Sequence, residues 1–261
     1  MRKEGRVFFA ALMFYTRIPC PSWVDHSEEY VNKSVRYFPL IGWIVGGVAF
    51  LFLYLGSLID PFIGALSFLA ASILLTGAFH EDGFADVCDG FGGGWTKEQV
   101  LNIMKDSRVG TYAVIGLLIL LLAKLKLVVL MFERGMGVEK LLFITLIGHS
   151  LSRWAAATII FTHEYARDDE KSKTRLVAKS FTPANVLISS ILGFIPVFIF
   201  VWYSEEPLFF VLIPMVYLLK MLLANWFKRK IGGYTGDCLG AVQQVGEVFI
   251  YLLLVLLGNY V

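Results

Sequence analysis

The chain has 261 residues, 57% of them hydrophobic and 17% charged, with a mean hydropathy of +0.69. Apolar residue on that scale, gathered in long blocks, excludes a soluble globule and points to a polytopic membrane protein. The net charge of +2 selects no partner and gives no reason to expect nucleic acid, while three cysteines without a CxxC pair (Cys20, Cys88, Cys238) argue against a disulfide framework or a structural zinc and are expected to stay reduced.

In chain order, the first apolar stretch, Val7 to Ile18, is short and flanked by Arg2, Lys3, Arg6 and Arg17. It is expected to lie in the interface or pack on the bundle, and Arg17 and Pro19 break it before a cleavable signal peptide is complete. Spanning segments follow at roughly 37–58, 61–79, 110–132, 139–161, 184–203, 208–226 and 240–259, each near the ~20 residues a bilayer needs. The predicted fold is therefore an all-α membrane bundle of about seven spans plus an N-terminal interfacial helix. Residues 1–261 form one membrane domain, because no polar segment is long enough to fold alone.

The distribution of Lys and Arg predicts the orientation. Six precede residue 37, three lie in 80–109, five in 162–183 and three in 227–239, whereas the opposite connections hold only Arg134 and Lys140. By the positive-inside rule the N-terminal segment 1–36, the acidic segment 80–109 and the loops 162–183 and 227–239 are cytoplasmic, and the C-terminus lies outside. Every long polar connection, and with it the active face, falls on the cytoplasmic side.

The second span runs into His80–Gly90, which carries Glu81, Asp82, Asp86 and Asp89. A helix continuing from the span through this stretch, at about 100° per residue, gathers Asp82, Asp86 and Asp89 within roughly 60° on one face with Glu81 on the flank. Acids at that spacing repel one another, and span ends on this side favour basic residues, so the cluster is read as a divalent-metal site. Hard oxygen ligands without recurring His or Cys suit Mg²⁺, with Mn²⁺ as the alternative, rather than Zn²⁺. Glycines at 92–94 stop the helix, and a second polar helix is expected over 97–107, opened by Thr96 as N-cap with Gln99 at its third position.

Further candidates lie in the later polar segments. Lys105, Asp106 and Arg108 open the third span, where a carboxylate and a guanidinium two residues apart suit metal and phosphate. Arg153, inside the fourth span beside His149, is costly to bury and should face a cavity, an anion or an internal acid. Lys124 and Lys126 read as snorkelling or internally paired. The last polar loop supplies glycines at 232, 233, 236 and 240, with Gly236 able to present its amide to phosphate, and Asp237 on the same side as the first cluster. Arg17 reads, as plain sequence, as a juxtamembrane anchor.

Taken together, Phe14–Pro19, Tyr37–Gly42, Thr76–Gly90, Ile103–Thr111 and Gly233–Ala241 resemble the cobalamin synthases, the adenosylcobinamide-GDP ribazoletransferases. The Asp-rich stretch is similar in style to that of CDP-alcohol phosphotransferases, but their Asp-Gly-x-x-Ala-Arg run is unmatched, because Asp86 follows Ala85. A cation or metabolite transporter is the other alternative; its acids belong near mid-membrane in broken spans rather than at an edge. The resemblance implies transfer between adenosylcobinamide-GDP and α-ribazole or its 5′-phosphate, with release of GMP. It implies Mg²⁺ on Glu81, Asp82, Asp86 and Asp89, phosphate contacts from Arg108 and Arg17, and proton acceptance by Asp237 or a less tightly held member of the cluster such as Asp82. The expected partners are the two substrates and the lipid bilayer, with other enzymes of the same pathway or a second copy of the chain as further associates.

Overall fold

The apolar run that leads into the acidic stretch stops as a helix before reaching it. In the computed structural model, which describes residues 3–24, 28–167 and 182–258, helix α4 (Pro61–Thr76) starts where the Asp60 carboxylate accepts the Phe62 amide and Pro61 sets the first turn. It ends at Gly77 (φ +67°), and the next residue, Ala78, is also left-handed (φ +58°). A left-handed non-glycine residue costs about 1–2 kcal/mol. Gly77 and Ala78, left-handed in succession, turn the chain by 91°, so α5 (Phe79–Gly93) starts afresh across the direction of α4. The expected continuous helix is thus corrected, although Asp82, Asp86 and Asp89 keep their helical spacing on α5.

Before this turn lie α1 (Lys3–Tyr15), α2 (Glu28–Ser34) and α3 (Phe38–Ser57), with a 3-10 turn at Val35–Tyr37 joining α2 to α3. At 13 residues α1 is too short to cross a bilayer. It packs inward through Val7, Ala10, Ala11 and Tyr15, whose ring stacks on Phe38 at 4.1 Å. After the turn come α6 (Lys97–Ile103), α7 (Thr111–Glu133), α8 (Val138–Thr162), α9 (Pro183–Ser204), α10 (Leu212–Ile231) and α11 (Gly236–Leu257). The capping box forms as expected: Thr96 accepts from Gln99 and the Gln99 side chain answers the Thr96 amide. α6, however, ends at Ile103, four residues short of the expected end.

Among the described residues, six helical units are long and apolar enough to span a membrane, and the bent pair α4–α5 brings the total to seven if it counts as one crossing. The chain is a multi-pass helical bundle. With Glu81, Asp82, Asp86 and Asp89 on it, α5 is too charged for the lipid interior and is assigned to the membrane edge. Of the 162–183 loop, residues 168–181 lie outside the described residues.

α8 is the central helix, with every residue from Ile147 to Phe161 buried. A helix buried on all sides needs small residues where neighbours cross it closely. α3 provides them: a Cβ at Gly46 would stand 3.0 Å from the Thr145 carbonyl oxygen, and Gly42 meets the His149 backbone more closely still. α11 lies along both α8 and α5, and this placement builds the site.

Candidate active site

α5 and α11 cross at two glycines. A side chain at Gly83 would meet the Cα of Asp237 at 2.9 Å, and one at Gly240 would meet the His80 carbonyl oxygen at 2.9 Å. This close approach sets Asp237, in the first turn of α11, against Asp82 and Asp86 on α5. The Asp86 carboxyl is pushed up to about 7, first by its burial and then by the carboxylates of Asp237 and Asp82, with Asp89 adding less; Arg167 opposes the shift. Such a group keeps its proton up to the neutral range and loses it to water above.

Asp237 is oriented by two donors on one oxygen. Arg167 Nη2 lies 2.9 Å from its Oδ2 and Thr235 Oγ1 3.2 Å from the same atom, while Thr235 also caps α11 by accepting the Cys238 amide. Arg167 reaches this position through backbone pairing: the Ala166 amide donates to the Tyr234 carbonyl (2.8 Å) and the Tyr234 amide to Glu164 (3.0 Å). Gly233 makes room for this pairing, because any Cβ there would collide with the Glu164 carbonyl. Sequence reasoning counted Arg167 only among the basic residues of its loop. Its partner is 70 residues away, and nothing in local spacing marks the pair.

Two of the four expected metal ligands point elsewhere. Asp89 accepts the amides of Gly110 (2.6 Å) and Ala113 (2.8 Å), serving as the N-terminal cap that Gly110 has no side chain to supply. Glu81 is buried and turned into the bundle, where its Oε1 accepts from Gln244 Nε2 at 2.8 Å. Behind it lies a buried chain of charges and amides. Lys124 donates to Gln244 Oε1 (2.6 Å) and pairs with Glu247 (3.2 Å), and Gln243 donates to Glu247 (2.7 Å). His149 faces Glu247 at 3.4 Å, and Arg153 donates to the His149 carbonyl at 3.0 Å. Arg153 thus faces internal acids, as one of its sequence readings required, but at 1% exposure it does not reach the Asp82 face.

The remaining expected phosphate ligands divide. Lys105 lines a cavity that Arg167 also borders. Arg108 and Asp106 close on each other in an exposed pair at 2.5 Å, and the guanidinium holds the Asp106 carboxyl down at about 2. Arg17 packs at Gly77 beside an apolar groove with Pro19, Phe52 and Leu74. Gly236 opens α11 next to Asp237.

No three carboxylate, His or Cys groups among the described residues converge to enclose a metal ion. Asp82, which is exposed, and Asp86, which is half-buried, suit instead an ion such as Mg²⁺ that keeps several waters and takes its other oxygens from a substrate. The meeting of Asp82, Asp86 and Asp237 at the α5–α11 crossing is the observation that favours such an ion there.

The chain matches the family model described as cobalamin-5-phosphate synthase over residues 7–255. It is 42% identical over 259 residues to a protein of Shewanella frigidimarina named adenosylcobinamide-GDP ribazoletransferase, covering 98% of this chain and 96% of the relative. Proteins of the same name from Shewanella amazonensis (41% over 260 residues, 99% and 98% covered) and Leptospira interrogans (38% over 255 residues, 97% and 96% covered) are similarly related. No solved structure matches the chain.

Proposed function

The chain belongs to the cobalamin-5-phosphate synthase family, and on that premise we propose that it is an adenosylcobinamide-GDP ribazoletransferase whose reaction takes place at the crossing of α5 and α11. The α-ribazole substrate enters free or as its 5′-phosphate, and the family description favours the phosphate. A ribose hydroxyl attacks the phosphorus attached to the cobinamide. A new oxygen–phosphorus bond forms, the bond from that phosphorus to the bridging oxygen breaks, and GMP leaves with the bridging oxygen. Displacement at a diphosphate depends more on alignment and charge neutralisation than on covalent help from the protein.

The observation that carries this reading is the meeting of Asp82, Asp86 and Asp237 across a glycine-to-backbone contact, with Arg167 anchored on Asp237. Asp82 and Asp86 would hold Mg²⁺, which when bound neutralises diphosphate oxygens. Both donors on Asp237 take Oδ2, so Oδ1 is the oxygen we assign to accept the proton of the attacking hydroxyl. Arg167 lies close enough to Asp237 to steady the diphosphate beside that oxygen. Asp89 and Glu81 serve the geometry instead, Asp89 by fixing the start of α7 and Glu81 by setting the rotation of α5.

The test is turnover by the purified protein in detergent. With adenosylcobinamide-GDP and α-ribazole 5′-phosphate, GMP should appear in step with the cobalamin product, and EDTA should lower the rate by about 10²-fold or more until Mg²⁺ is restored. Full activity in EDTA would remove the metal from this account. Turnover of CDP-diacylglycerol alone would replace the substrate assignment, and GMP release without a second compartment would dispose of transport.

The charge distribution supports placing this face in the cytoplasm. Glu164→Cys, in a chain with Cys20 and Cys88 changed to Ser and the buried Cys238 retained, is expected to react with a membrane-impermeant maleimide only from the cytoplasmic side. Reaction from the outer side in intact cells would invert the topology.

A further inference from the structure

Beside the acid crossing lies a cavity of about 500 Å³, within the size range of small-ligand sites. Three cations border it, Lys97 and Lys105 from the segment around α6 and Arg167 from the chain after α8. Arg167 also touches Asp237, so one guanidinium belongs both to the cavity and to the acid set. Glu98 and Asn102 line the same cavity, one helical turn apart on α6, and Leu101 adds an apolar surface between them.

These groups have the chemistry of a guanosine phosphate. The cations suit phosphate oxygens, with Arg167 able to engage two at once. The guanine edge presents two adjacent donors, N1–H and the 2-amino group, which a carboxylate accepts together. Adenine presents an acceptor at N1, which a carboxylate repels. The Asn102 side-chain amide can donate to O6 or N7, both acceptors, and Leu101 offers a face against which a flat ring can pack.

We infer that this cavity holds the GMP half of the activated corrinoid, with Glu98 reading guanine and Lys97, Lys105 and Arg167 holding the phosphates. The inference rests on the reaction proposed above, because that reaction supplies a guanosine diphosphate whose outer half leaves. In this placement the phosphorus bearing the corrinoid lies toward Asp237 and the nucleoside extends away from the membrane helices along α6. The corrinoid itself then needs no room in the cavity.

The experiment uses free GMP as the probe, with IMP, which lacks the 2-amino group, and AMP as comparators, titrated calorimetrically into the detergent-purified full chain. GMP should bind several-fold more tightly than either comparator, as expected where two adjacent donors meet one carboxylate. Glu98→Gln should bring GMP close to the IMP affinity and raise the AMP affinity, because the charge that repels adenine N1 is gone, whereas Lys97→Ala should weaken all three alike. Glu98 is exposed on a surface helix, and an unchanged melting temperature would establish that the variant folds.

No GMP binding by the parent protein, or unaltered discrimination in Glu98→Gln, would overturn the assignment. The underlying reaction is read separately. Cobalamin formation with discrimination insensitive to Glu98 would refute the subsite and keep the reaction. Guanine-selective binding without cobalamin formation would do the reverse.

Discussion

Replacing Asp82 with Asn is expected to reduce turnover by about 10³-fold or more while leaving the protein inserted and folded. Asp82 is exposed on α5, its neighbours Glu81 and Gly83 carry the packing, and no described hydrogen bond or ion pair of the fold depends on its side chain. Asn keeps the volume and removes the charge, so the loss falls on cation and phosphate binding rather than on stability. The measurement is GMP release at saturating substrate, paired with a thermal melt in detergent. Activity within a few-fold of the parent would exclude Asp82 from the reaction. A collapse in melting temperature would show instead that the residue has a packing role the structure does not give it.

The second large effect is expected far from the chemistry. Glu247 lies 1% exposed between Lys124 (3.2 Å) and His149 (3.4 Å) and accepts from Gln243 at 2.7 Å. Glu247→Ala should cost roughly 3–5 kcal/mol, because Lys124 then remains as a buried cation without its counter-charge. The loss should also reach the site, since Lys124 holds Gln244 and Gln244 holds Glu81, one residue from Asp82. Replacing both members of the pair, Lys124→Met with Glu247→Leu, should recover much of the stability, as apolar substitutes often do for buried ion pairs. Unfolding in a graded detergent mixture, read by the fluorescence of the buried Trp154, measures both. A Glu247→Ala melt indistinguishable from the parent would mean that this network is balanced by other groups.

The two outcomes separate two kinds of residue that looked alike in the sequence. Glu81 and Asp82 are adjacent, acidic and part of one motif, yet one faces the bundle and the other the open face. A helix turns about 100° per residue, so neighbours in sequence are expected to diverge in space. The spacing of Asp82 and Asp86 predicted that they share a face, and the structure keeps them near each other. The same spacing placed Asp89 with them. What the spacing could not contain was the start of α7, whose free amides claim that carboxylate.

What the sequence by itself determined is the class of protein and its family. Long apolar blocks can be stable only in lipid or a large buried core, and that property is local to each block, so the helical bundle and about seven spans were legible without a structure. The family was legible because its motifs are contiguous runs, such as Thr76–Gly90. The tertiary structure decided how the motif is aimed. Two successive left-handed residues, Gly77 and Ala78, turn α5 by 91°, and hydropathy does not register a turn made inside an apolar-to-polar transition. It also decided that Asp237 and Arg167 belong beside Asp86, through contacts that join residues 70 to more than 150 positions apart. Those contacts depend on which backbone segments approach at Gly83, Gly233 and Gly240, and the absence of a side chain acquires that meaning only when the opposing backbone is in place.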